Sequence, residues 1–298
     1  VAGRVTYDGS RSVPTVDEFR LYTVGPLGHF YCVDIATRKI LWTKDQVAIY
    51  KMPPNTFGYG YSPLLYNDWV ILTPAGSDTG IVALDQSTGK EIWRSGSVGY
   101  CGNCFVSAIL TNLDGREGIL YNTCDTVSFI DPQTGETLWS HGGLSCVHAI
   151  ASPTAVGSNR VFVTCYSYKG GSMLLEITNQ NNTYDVKQIK QITPDGSLLY
   201  SALFYDDYLY VNFTPPKDAK YSSSGLVCLD RDGNTMWETG PKPEFALGHA
   251  IIADGMILIL GSDNGRLYLV EINPTKFVLL DSTRLLNEGN NFCAPMAL

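Results

Sequence analysis

Apolar and polar positions along this chain alternate in short runs rather than in long helical stripes. No stretch places apolar side chains at the i, i+3, i+4 spacing over the length a stable helix needs, so no helix is predicted. Runs rich in β-branched, aliphatic and aromatic residues recur instead, among them Trp69–Leu72, Gly118–Tyr121, Arg160–Thr164 and Met256–Leu260. Gly, Pro, Asn and Asp bound them, which reads as strands joined by tight turns.

One phrase repeats. It runs Ile81–Trp93 with Asp85, Thr88 and Gly89 at its turn, and returns as Val127–Trp139 with Asp131, Thr134 and Gly135. Looser copies are Tyr31–Trp42, where Arg38 replaces the turn Gly, and Leu226–Trp237, with Asp230 and Gly233. Asp and Thr side chains bond nearby backbone N–H groups, and Gly supplies positive φ, so each copy reads as strand, turn, strand. The closing Trp has a large face to bury and one N–H to satisfy, which suits a knob docked against the next copy. Trp42, Trp93, Trp139 and Trp237 are therefore expected to be structural docking residues.

The period of about 45–50 residues, with two further strands between phrases, predicts an all-β propeller of four-stranded antiparallel blades. Six complete blades are expected near 12–43, 61–94, 105–140, 149–190, 198–238 and 246–281. The fourth and sixth keep the strands without the phrase. A partial blade begins near 291, and Gly3–Tyr7 reads as an outer strand. The expectation is one domain over 1–298, belonging to a ring of seven or eight blades in the native protein.

Composition narrows the function. With 298 residues, 44% of them hydrophobic, the chain can bury a large core. A net charge of −8 argues against a nucleic-acid or anionic-membrane surface. No apolar run reaches the length of a membrane span. Eight cysteines, few lysines and many Tyr, Ser, Thr and Gly suit an exported protein, in the periplasm, cell envelope or extracellular space. Cys101 and Cys104 are the one close pair. They read as a possible loop-stapling disulfide or buried thiols, against a redox dithiol or half a metal site; no second pair or histidine set completes the latter. Asn181 and Asn212 begin glycosylation sequons, one in a polar loop and one in a strand.

The phrase resembles the tryptophan-docking motif of the pyrroloquinoline-quinone (PQQ)-like propeller repeats. Such repeats occur in PQQ alcohol dehydrogenases, in the outer-membrane-assembly lipoprotein propeller and in bacterial sets common in planctomycetes. Gly9–Val16, Leu21–Gly25, Gly58–Leu64 and Asp263–Glu271 extend the likeness over nearly the whole chain. A dehydrogenase of this family would imply a quinone on a Trp, a Ca²⁺ held by Glu, Asn and Asp, an Asp base and a disulfide between adjacent cysteines. This chain has no adjacent cysteine pair and no recognisable cofactor-binding insertion. The favoured expectation is therefore a non-catalytic interaction scaffold, an accessory subunit with protein partners, no cofactor and no metal. A PQQ enzyme or a small-ligand binder is the alternative.

If it binds, the loops before each innermost strand are the place. They carry Arg11, Tyr59, Tyr61, Tyr100, Phe105, His148, Tyr200, His249 and Phe292. Aromatic rings with polar tips favour protein interfaces.

Overall fold

The computed structural model describes residues 11–55, 57–99, 101–146, 148–165, 171–192, 196–214, 225–287 and 296. The Gly3–Tyr7 strand and nearly all of the partial blade near 291 lie outside these residues. Within them the runs form twenty-four strands in six four-stranded antiparallel sheets. In chain order the first sheet holds β1–β4 (Thr15–Val16, Arg20–Val24, His29–Asp34, Ile40–Asp45). The second holds β5–β8 (Leu64–Tyr66, Trp69–Leu72, Val82–Asp85, Glu91–Arg94) and the third β9–β12 (Ile109–Leu113, Arg116–Asn122, Thr126–Ile130, Thr137–Gly142). The fourth holds β13–β16 (Thr154–Val156, Arg160–Thr164, Ser172–Gln180, Thr183–Ile192). The fifth holds β17–β20 (Leu203–Tyr205, Tyr208–Phe213, Gly225–Leu229, Thr235–Glu238) and the sixth β21–β24 (His249–Ala253, Met256–Leu260, Arg266–Glu271, Leu279–Arg284). Each sheet is an up-and-down meander.

The described chain divides into two compact units, Val1–Ser152 with Asn179–Tyr184, and Pro153–Thr178 with Asp185–Leu298. Within each unit the cores lie between successive sheets. In β7, Val82 and Leu84 pack with Tyr22, Phe30 and Cys32 of the first sheet. Ile81 and Ala83 face the other way, towards Ile119, Tyr121 and Ile130 of the third. Side-chain alternation thus lets one strand seal two layers, which is why the middle strands read as unbroken apolar runs.

The repeated phrase builds the same turn each time. The Asp34, Asp85 and Asp131 carboxylates accept from the N–H of Thr37, Thr88 and Thr134 at 2.6, 2.7 and 3.1 Å. Asp85 also takes both hydroxyls of Ser87 and Thr88, and these bonds hold its pKa down at about 2. One position before the Asp, or before Glu271 in the sixth sheet, the register between the last two strands shifts. Such a bulge twists the outer strand and aims the phrase's final residue at the next layer. Trp42 lies over the following turn, where a Cβ on Gly89 would come 2.7 Å from the indole, and its Nε1 donates to Gln86 O at 3.0 Å. Trp93 covers Gly135 closely enough that a Cβ there would collide with the ring. Trp237 donates to Asn273 O at 2.7 Å. Trp139 stacks on Phe129 at 5.8 Å, and its Nε1, like that of Trp93, is buried without a hydrogen bond.

Three local features depart from the sequence reading. A one-turn helix, α1 (Gln46–Tyr50), follows β4; Asp45 caps it by accepting from Ala48 N at 3.1 Å, and Lys51 closes it in the left-handed conformation. The fourth sheet's outer hairpin is longer than predicted, because Asn181 and Asn182 both take positive φ and form a tight turn. Here Arg160 replaces the missing phrase, reaching Arg231 O, Asp232 and Glu176 at 2.8, 2.7 and 3.1 Å. The sixth sheet's last strand starts at Leu279, since Phe277 turns inward onto Trp237 and Phe245. No helix among the described residues is long and apolar enough to cross a membrane.

Candidate functional site

In the first unit, the loop before β5 is the organising element. Two of its glycines let backbone press against neighbours: a Cβ on Gly60 would lie 2.7 Å from Arg11 Cβ and 3.2 Å from Phe105 Cδ1. One on Gly58 would lie 3.3 Å from an Arg11 guanidinium nitrogen. Phe57 meets His148 edge to face, with ring centroids 5.5 Å apart. The fold thus gathers Arg11, Phe57, Phe105 and His148 around one loop. Burial lowers the His148 pKa, and its Nδ1 is enclosed without a hydrogen-bond partner. Burial thus favours the neutral imidazole, set against the phenyl ring of Phe57.

Tyr59 and Tyr61 do not belong to that surface, which corrects the sequence reading. They are 8% and 2% exposed. The Tyr59 hydroxyl donates to Pro53 O at 2.8 Å, and that of Tyr61 to Gln46 Oε1. Gln46 in turn donates to Gly28 O at 3.1 Å. Their polar tips are satisfied inside the fold, and burial pushes the Tyr61 phenol far up. In the second unit, Tyr200 and His249 contact each other, centroids 4.3 Å apart. His249 Nδ1 accepts from Met296 N at 2.6 Å, and burial lowers its pKa to about 4. That ring is neutral and engaged. Tyr100 and Phe292 lie outside the described residues.

Of the two readings of Cys101 and Cys104, a disulfide or buried thiols, the structure has thiols, Cys101 buried and Cys104 half-buried. Both are free, as are Cys32, Cys124 and Cys228, whereas Cys146 and Cys165 are disulfide-bonded. Cys101 and Cys124 are buried in one apolar cluster with Tyr121, and Cys104 packs against it. No group of three or more His, Cys, Asp or Glu among the described residues is placed to hold a metal ion.

The family model described as outer membrane protein assembly factor BamB matches residues 3–211. The chain belongs to this PQQ-like repeat family. Among solved structures, BamB from Moraxella catarrhalis is 13% identical with a TM-score of 0.62, over 94% of this chain and 78% of that one. A europium-containing methanol dehydrogenase is 14% identical with a TM-score of 0.62, over 95% and 69%. At these identities the likeness establishes the fold, an all-β propeller of four-stranded blades. A comparison with curated proteins returns no match.

Within this BamB-family chain, the sequence reading missed a stitch between the innermost strands. Val13 N donates to Ser62 Oγ at 3.2 Å, Ser62 N to Ser107 Oγ at 2.9 Å, and Ser152 Oγ to Ser107 O at 2.7 Å. Each link spans 45–49 residues, one repeat. The signal was present as Ser62, Ser107 and Ser152 at constant spacing, each heading an inner strand. These bonds fix the loops from which Arg11, Phe57 and Phe105 project.

Proposed function

We propose that this chain is a non-catalytic protein-binding propeller acting as an accessory subunit of an exported or cell-envelope assembly. The observation that carries the reading is the BamB family match across residues 3–211. The geometry agrees with it. The histidines of the loop sites are held neutral, away from any catalytic-type partner in the contacts described above. Apolar surface is also concentrated in the first sheet, its turns and helix α1: of seventeen exposed large apolar side chains among the described residues, the nine from Val13 to Ile49 lie there. Phe19 and Ile35 sit side by side, since Ile35 N donates to Phe19 O at 2.9 Å, and they are 61% and 45% exposed. Clustered exposed apolar residues mark protein contact surfaces. We also read the blades as one propeller domain, with Trp42, Trp93, Trp139 and Trp237 as its docking knobs.

The methanol dehydrogenase likeness keeps a quinone enzyme as the second reading. Two observations among the described residues weigh against it. No three-ligand carboxylate set is placed for Ca²⁺. Two cavities among the described residues, about 190 and 300 Å³, have no aromatic ring among their lining residues. In the larger, Arg116 is already paired with Asp131. The test is to place a photo-crosslinking residue at Phe19 and, separately, at Phe57, in the protein expressed in its native source. The proposal expects a discrete protein adduct from at least one position. Alcohol oxidation by the purified chain on adding PQQ and Ca²⁺, without any adduct, would overturn it.

A further inference from the structure

The chain carries two Asn-x-Thr sequons, Asn181–Thr183 and Asn212–Thr214, which the protein-binding reading leaves unused. The structure treats them differently. Asn212 stands inside β18, where its Nδ2 donates to Ala246 O and Gly248 O at 3.0 and 3.3 Å and its Oδ1 is buried. Thr214 is engaged as well: its N donates to Gly196 O at 2.9 Å, and its Oγ1 accepts from Leu198 N at 3.4 Å. An enzyme could reach the Asn212 amide only by pulling these partners away. Asn181 is the opposite case. β15 ends at Gln180 and β16 starts at Thr183, so Asn181 and Asn182 alone form the turn, with φ of 54° and 64°. Positive φ at both central positions gives the two-residue turn whose twist matches its strands, and Asn tolerates it. Asn181, Asn182 and Thr183 are all exposed. The tip is held by a neighbour outside the sequon: Asn179 Oδ1 accepts from Asn182 N at 3.0 Å, and Asn179 N donates to Asp114 Oδ2 at 2.7 Å. A fixed backbone thus presents a solvent-exposed side-chain amide.

We propose that Asn181 is an N-glycosylation site, modified by an oligosaccharide from a polyprenyl-diphosphate donor. The proposal rests on the reading of the chain as exported, because a sequon is used on the surface of a secreted protein. Asn181 Nδ2 attacks the anomeric carbon of the donor's first sugar. A C–N bond forms, the anomeric C–O bond breaks, the lipid diphosphate leaves, and one amide proton passes to solvent; nothing is oxidised or reduced. Asn182 is not a second acceptor, because Tyr184 stands where its sequon would need Ser or Thr. The glycan is bulky and hydrated. It stands at the head of β16, the outermost strand of its sheet, where it hinders pairing with another chain.

The test reads the chain purified from its source by intact mass and glycopeptide mapping, beside Asn181→Gln, Thr183→Val and Asn212→Gln variants made there. The result expected is a mass above that of the polypeptide by one oligosaccharide, carried on the peptide that holds Asn181. Asn181→Gln and Thr183→Val should both lose it, the second without changing the turn residues, and Asn212→Gln should keep it. A wild-type chain of bare polypeptide mass, or a glycan on Asn212 in place of Asn181, would overturn the proposal. The mapping of the wild-type chain decides the matter even if a variant fails to fold. Cell fractionation separates the two readings. An exported chain with Asn181 bare overturns the glycosylation and leaves export standing, whereas a chain found only in the cytosol overturns both.

Discussion

Replacing Gly89 by alanine tests how the layers are held. Two costs arise. The residue sits at φ +68°, where an L side chain is strained, by about 1–2 kcal/mol less what alanine's stiffer unfolded chain returns. The new Cβ would also stand 2.7 Å from Trp42, whose ring it meets with rigid backbone behind it. Trp42 must withdraw, which loses the 3.0 Å bond to Gln86 O, about 1 kcal/mol, and part of the indole's burial, about 1–2 kcal/mol. The sum is about 3–4 kcal/mol. Gly115 supplies the control, because its φ is +81° and nothing lies within 4 Å of a Cβ there. Gly115→Ala should therefore show the backbone cost alone, about 1 kcal/mol. In a Trp42→Ala background, Gly89→Ala should fall to that same cost, a coupling of about 2 kcal/mol. Urea denaturation followed by circular dichroism measures all four variants. Equal costs at Gly89 and Gly115, or strict additivity with Trp42→Ala, would refute the reasoning.

Other outcomes follow from the same geometry. Ser107→Ala leaves the Ser62 N–H without its 2.9 Å acceptor and should cost about 1–2 kcal/mol in urea melts, more than alanine at an exposed serine. His249 binds its proton near pH 4 in the folded chain but near 6.5 when unfolded, so the unfolded chain holds more protons between those values. Its contribution is complete above pH 6.5 and is lost as pH falls to about 4. After discounting for partial exposure this is about 2 kcal/mol, and His249→Gln should flatten that part of the stability profile. In the folded chain, Cys104 should be alkylated before Cys32 and Cys228, as differential labelling would show.

The parts of the fold written locally were the parts legible in the sequence. Asp85, Thr88 and Gly89 make their turn with one another, so the phrase could be read residue by residue and four of the six sheets placed from it, the other two from their apolar runs. Helix α1 was not legible: five residues capped by Asp45 are too short to show a period. The fourth sheet's length was set by positive φ at Asn181 and Asn182, which composition alone marks only as polar loop. The site was harder for a general reason. Tyr59 and Tyr61 look like contact residues because an aromatic ring with a hydroxyl suits a surface. Their acceptors, Pro53 O and Gln46, decide otherwise, and neither pairing follows from spacing. Cys124 likewise joins Cys101 and Cys104 only through strand pairing in the third sheet. The serine stitch, by contrast, was present at a constant interval and went unread because Ser62 and Ser152, each followed by Pro, looked like strand starts.

The central proposal is that this chain is a protein-binding propeller rather than a quinone dehydrogenase. Native mass spectrometry of the protein isolated from its source tests it most directly, with the wild-type chain beside a Phe19→Asp, Ile35→Asp variant of unchanged melting temperature. The account predicts a stoichiometric complex with a second polypeptide that the double variant loses. A wild-type chain that flies alone, and that oxidises alcohols once PQQ and Ca²⁺ are supplied, would contradict it.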